Sequence, residues 1–206
     1  MKLAIFGSTG KTGIEIVRQA LEKGHIVTAF VRDPDRMQIV DDRLQLVVGD
    51  VFDSESVTRA VAGQDAVICS LGARDLKKTT VRTTGTINMI AGMKAGGITR
   101  LVVVTAMGIG ESWKTLSAVN KLFFAAVLKN TRVDHESQEA AVKESGLDWT
   151  IIRPSGLTDT PHTGSYQAGE MITAKTSQIP RADVADLILK VLEDDSFIGK
   201  AVTITN

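Results

Sequence analysis

One cysteine, Cys69, occurs in the 206 residues, so no disulfide can close within the chain, and a reduced, cytoplasmic setting is expected. No apolar run approaches the about 20 residues of a membrane-spanning helix, and the run at 3–6 is too short for the apolar region of a secretory signal. No membrane partner is expected. Excess charge of one sign is missing too, since 24 basic and 24 acidic side chains balance. That balance removes any global electrostatic drive toward nucleic acid, leaving only the option of a local patch. His25, His135 and His162 are far apart, and HESQE from 135 lacks the second histidine of a zinc helix, so no metal site is expected. No G-x-S-x-G elbow offers a serine nucleophile. What is present, 43% of it hydrophobic, suffices for one well-buried core, and a single domain over 1–206 is expected.

Apolar strand-like runs alternate with amphipathic helical stretches, the pattern of a doubly wound parallel sheet with helices on both faces. Strands are expected near 2–6, 26–31, 44–48, 66–70, 100–105, 149–152 and 201–205. Their cores, LAIF, LVV, AVIC and LVVVT, are continuous rather than alternating, as in strands buried on both sides. Helices are expected at 11–23, 55–62, 80–95, 117–144 with a break at 130–133, and 182–193. Gly24, Gly63, Gly96 with Gly97, and Gly146 stand where helices should stop. The stretch 154–181, with three prolines and three glycines, is the longest irregular segment and is expected to form the substrate side of a site.

The first strand runs into GSTGKTG at 7–13 and then into a helix. A triphosphate-binding Walker loop needs a glycine four residues before its Gly-Lys-Thr, but Ile5 occupies that position. The strand, glycine turn and helix instead fit a dinucleotide: Gly7 for the turn, Gly10 for close approach to the pyrophosphate, Gly13 for helix packing, and free amides at the helix start for the anion. Thr9 and Thr12 can add hydroxyl donors, and Lys11 reads as a solvated charge beside the phosphates.

The second strand ends in VRDPDR. An arginine at that tip matches the 2′-phosphate of NADPH with its planar fork of donors, whereas NADH calls for an acid there. Arg32, with Arg36 a turn later, therefore favours NADPH, the competing reading being a surface pair of Arg32 with Asp33 or Asp35. After the third strand, Asp50 and Val51 could face the adenine.

Together GSTGKTG, VRDPDR, VVGDV, GQDAVI, SLG, ESGLDWTIIRP and RADVADLIL resemble the atypical short-chain dehydrogenase/reductases, and within them the flavin reductase or biliverdin reductase B branch, over nearly the full length. The resemblance implies a Rossmann-like fold, NADPH, and reduction of a planar acceptor (flavin, linear tetrapyrrole or quinone) above an open nicotinamide. It adds Leu71, Gly72 and Thr105 to the expected cofactor residues Gly7, Thr9, Gly10, Lys11, Thr12, Gly13, Arg32, Arg36, Asp50 and Val51.

Departures lie at the substrate end. Thr105 is followed by Ala106 where the branch has serine, and Pro154-Ser155-Gly156 lacks its histidine. The wider superfamily's Tyr-x-x-x-Lys dyad is missing as well, because Tyr166 has Glu170 four residues on. Flavin reduction tolerates these losses: hydride passes to the flavin N5 and a proton can come from water, so alignment of two flat rings carries the rate. Ser70, Met107, Trp113, Ser155, Leu157 and the loop around His162 and Tyr166 follow strand ends and could line the acceptor pocket. Thr105 is the best hydroxyl near the nicotinamide, as a catalytic candidate or a satisfied strand-end threonine. Arg153 could hold a substrate anion, an internal ion pair being the commoner fate of such an arginine. Cys69 reads as a small buried hydrophobe. Phe123 and Phe124, with Val119, Leu122, Ala126 and Val127, read as a core stripe or a cover over the pocket. A second functional class stays open, a sensor that binds NADP(H) and signals without turnover.

Overall fold

The computed structural model describes residues 1–72, 79–115, 129–172 and 178–206. In chain order these form β1 (Lys2–Phe6), α1 (Lys11–Glu22), β2 (Ile26–Val31), β3 (Leu44–Val48), α2 (Ser54–Val61), β4 (Ala66–Cys69), α3 (Val81–Gly96) and β5 (Arg100–Val104). There follow α4 (Lys129–Lys143), β6 (Asp148–Pro154), β7 (Gly156–Thr158), β8 (Gln167–Gly169), β9 (Gln178–Pro180), α5 (Arg181–Leu192) and β10 (Lys200–Thr205). Eight strands make one sheet in the order β3-β2-β1-β4-β5-β6-β10-β8, parallel throughout except that β8 runs antiparallel to β10.

Side chains alternate across this sheet and feed two cores. Leu3 and Ile5 of β1 join Ile16, Val17 and Leu21 of α1 and Ile188 of α5 on one face. Ala4 and Phe6 join Val57 of α2, Met89 of α3 and Val142 of α4 on the other. The stripe of Ile16, Val17, Ala20 and Leu21 is what commits α1 to the sheet, each large side chain contributing roughly 1.5–3 kcal/mol by leaving water. Because α1 and α3 lie on opposite faces, the connections leaving the C-terminal ends of neighbouring β1 and β4 diverge. A crevice opens between them, the switch point at which doubly wound sheets hold ligands.

Three expectations need correction. The segment 44–48 is not buried on both sides: β3 is the outer strand, with Leu46 and Val48 exposed, because among the described residues no strand continues the sheet beyond it. The break expected at 130–133 is absent, as α4 runs unbroken from Lys129 to Lys143; the preceding part of that expected helix, with Phe123 and Phe124, lies outside the described residues. The stretch 154–181 is not wholly irregular, since β7 pairs with β9 in a two-stranded sheet and β8 extends the main one. Gly24, Gly63, Gly97 and Gly146 do take positive φ after helices, while Gly96 closes α3 itself. Among the described residues no helix is long and apolar enough to cross a membrane.

Candidate functional site

At the end of β1 the chain turns at Gly7, φ +76°, where a Cβ would sit 2.3 Å from the carbonyl oxygen of Ser70, the residue just past neighbouring β4. A Cβ on Gly13 would sit 2.1 Å from the Gly7 oxygen, so α1 meets its own loop at a distance only glycine permits. The turn closes with Gly10 N–H donating to Gly7 O at 2.9 Å, and the buried Ser8 hydroxyl ties it to β2 through Phe30 O at 3.0 Å. Gly10 caps α1 without a side-chain bond, and no acid stands in the first turn. The orphan amides and positive end of the helix dipole are therefore left to an outside anion.

These groups open into a cavity of about 450 Å³. Of the expected cofactor residues, Gly7, Thr9, Gly10, Lys11, Thr12, Gly13, Arg32, Arg36, Val51, Leu71 and Gly72 all line it, as do Ser70 and Leu157 from the expected substrate set. Phe30, Val81 and Arg181 join them, unforeseen from sequence. Arg32 and Arg36 are exposed, and among the described residues neither guanidinium is ion-paired or hydrogen-bonded. The surface pair of Arg32 with Asp33 or Asp35 does not form; Asp33 instead accepts from the Asp35 amide at 3.2 Å and starts a short 3-10 turn that presents Arg36. The exposed Asp50 stands outside the cavity lining, its carboxylate turned to the Phe52 amide at 2.9 Å.

The other expected residues stand apart from this cavity. Thr105 is buried and donates to Glu139 at 2.9 Å. Arg153, 1% exposed, is held by Glu139 at 2.5 Å and Glu111 at 2.9 Å, which is the internal ion pair rather than an open anion site. Its proximity and the Glu111 amide hold the Glu111 carboxyl down at about 2, the amide contributing more. Met107 and Ser155 are buried, and Trp113 is half-buried with the Arg132 guanidinium 4.2 Å above its ring. Cys69 is buried, and burial pushes its thiol up.

The loop around His162 and Tyr166 is drawn onto α5. Asp183, with no exposed surface, accepts from the amides of Thr163 at 2.9 Å and Gly164 at 3.0 Å, and lies 3.4 Å from His162 Nε2. Tyr166 donates to Asp186 at 2.7 Å, and Lys190 donates back to the tyrosine oxygen at 3.1 Å. A lysine does stand beside the tyrosine, supplied from α5. Burial and Asp186 nevertheless push the hydroxyl up to about 12, the reverse of what a proton donor to a carbonyl requires. Among the described residues no group of three or more metal-ligating side chains assembles.

Comparisons with known proteins agree with this architecture. An uncharacterized chloroplastic protein of Arabidopsis thaliana is 30% identical, over 95% of this chain and 74% of its own. A short-chain dehydrogenase/reductase of Veillonella parvula, solved with NADP, superposes with a TM-score of 0.85 at 19% identity, covering 100% of this chain and 94% of that one. The anaerobilin reductase ChuY of Escherichia coli O157:H7 superposes with a TM-score of 0.82 at 24% identity, covering 100% and 97%. At those identities the two structures share the fold. A family model described as NAD(P)H-binding matches residues 7–195, from the first glycine of the turn to beyond α5. With its glycine turn, open helix start and switch-point cavity, the chain belongs to the NAD(P)H-binding family.

Proposed function

We propose that this protein is an NADPH-dependent reductase, working in the cytoplasm as a single domain, that passes a hydride to a planar acceptor such as free flavin, a linear tetrapyrrole or a quinone. The observation carrying the coenzyme choice is the pair of guanidiniums of Arg32 and Arg36, unpaired among the described residues and lining one cavity with the glycine turn. Two arginines without a carboxylate partner suit a 2′-phosphate, which takes charge-assisted and bidentate bonds from them. The residues present fit the coenzyme: the glycines leave room at the turn, the amides of the first turn of α1 meet the diphosphate, and Phe30, Val51 and Val81 offer apolar surface for the adenine.

When bound, the reduced nicotinamide supplies a hydride. The chain's own part is to hold two flat rings in register and exclude competing orientations. Tyr166 is unsuited as an acid because its proton is committed to Asp186. An acceptor that takes its proton from water, as reduced flavin does, suits this protein better than a ketone. The anaerobilin reductase among the structural neighbours supports the tetrapyrrole class at the level of fold.

Oxidation of NADPH followed by its absorbance, with FMN, biliverdin and a simple quinone in turn, tests the reading. Turnover with at least one supports it. Tight NADPH binding with no turnover on any acceptor would overturn it in favour of a cofactor sensor.

A further inference from the structure

Lys11 opens α1 and Arg181 opens α5, and the two helices pack together on one face of the sheet. Both side chains line the glycine-cradled cavity, and both also line an adjoining recess of about 260 Å³ closed by Thr158, Asp159 and Thr160. Asp159 joins them: one carboxylate oxygen accepts from Lys11 Nζ and the other from Arg181 Nη1. These contacts hold its carboxyl below the usual range, Lys11 contributing most.

The exposures are unequal. The side chains of Lys11 and Asp159 are 70% and 58% exposed, whereas that of Arg181 is 20% exposed. Water screens such an ion pair, so a carboxylate so placed is held in position but released at little cost. A carboxylate resting on an ammonium and a guanidinium, beside two helix N-termini, occupies the kind of setting that favours a phosphate. Release of Asp159 need not unravel its loop, because Asp183 fastens the following residues through the Thr163 and Gly164 amides.

We propose that Lys11 and Arg181 form a clamp for the bridging diphosphate of the dinucleotide, and that Asp159 is an internal anion which the diphosphate displaces. This rests on reading the cavity as the dinucleotide site. Arg181 thereby becomes a coenzyme-binding residue supplied from the far end of the chain. Asp159 sets the affinity downward and re-engages when the coenzyme leaves.

The test is calorimetric titration of the full chain with NADPH, with ADP-ribose, which keeps the diphosphate but lacks the nicotinamide, and with FMN. Wild-type binding of NADPH comes first, and its absence would sink the dinucleotide reading itself. Given binding, Asp159→Asn should tighten NADPH and ADP-ribose about two- to fivefold, the range expected for freeing an exposed ion pair. Arg181→Gln should weaken both roughly tenfold, and the gain from Asp159→Asn should shrink in the Arg181→Gln background. Glu22→Gln is the control, since Glu22 pairs with Arg18 at the far end of the same helix and its removal changes net charge equally without touching the clamp. An equal gain from Glu22→Gln, an unchanged affinity in Asp159→Asn, or the same gain with and without Arg181 would each overturn the proposal. So would a gain confined to FMN, which would assign the two cations to the acceptor's phosphate.

Discussion

The Thr105 hydroxyl donates to the Glu139 carboxylate at 2.9 Å, and the same carboxylate oxygen takes the Arg153 Nε–H at 2.9 Å. One acid from α4 thus braces the ends of both β5 and β6, and it does so at 4% side-chain exposure against an arginine at 1%. Replacing Glu139 by Ala leaves the Arg153 charge buried against Glu111 alone, and should cost about 3–5 kcal/mol of folding stability. Glu139→Gln, which keeps an acceptor for Thr105, should cost less. Urea denaturation measures both, and a Glu139→Gln protein as stable as wild type would show that charge pairing with Arg153 is not what matters.

Arg32→Ala should weaken NADPH roughly ten- to a hundredfold, the worth of a charge-assisted contact to the 2′-phosphate. NADH, which has a hydroxyl there, should be nearly unaffected. Titration with both coenzymes decides, and parallel losses would remove Arg32 from the 2′-phosphate.

Acid should destabilise the protein through His135. The imidazole is buried, with Nδ1 3.3 Å from the Gln138 oxygen, and burial followed by the nearby Arg82 charge pushes its pKa down to about 4 from an ordinary 6.5. Between those values the unfolded chain binds a proton that the folded one refuses, so stability falls as pH falls, by on the order of 3 kcal/mol over the window. Stability measured from pH 7 to pH 4 should slope accordingly, and His135→Asn should flatten the slope. Glu111, held down at about 2, adds a separate loss only below the ordinary carboxylate range.

Gly13→Ala should abolish coenzyme binding and lower stability together, because its methyl would stand 2.1 Å from the Gly7 oxygen and 2.8 Å from the Ser8 Cα, backbone that cannot step aside. Gly10→Ala meets the Gly7 oxygen at 3.2 Å and should be milder in the thermal melt. A Gly13→Ala protein that melts and binds like wild type would refute the close packing.

The glycine turn and most of the sheet were legible because each is encoded over a few neighbouring residues: LAIF before GSTGKTG fixes strand, turn and helix within one window. The edge position of β3 was not, since LVV is equally apolar whether or not a neighbour covers it. Three-residue strands such as β7 and β9 are too short to show any period. Arg181 escaped because its place beside Lys11 depends on α1 and α5 packing side by side, which no local spacing records. Asp50 and Val51 are adjacent, yet only Val51 reaches the cavity, because a bond to the Phe52 amide turns the carboxylate away.

The two guanidiniums stand at the tip and turn following β2, exposed and bound to nothing among the described residues, whereas the glycines are wedged against Ser70 and against each other. On the proposed coenzyme reading, preference between phosphorylated and unphosphorylated coenzyme is therefore written where residues can change freely, and the grip on the shared part is written where they cannot. On that reading, a lineage of such chains can trade one electron currency for the other at positions 32 and 36 while its seat for the coenzyme stays intact.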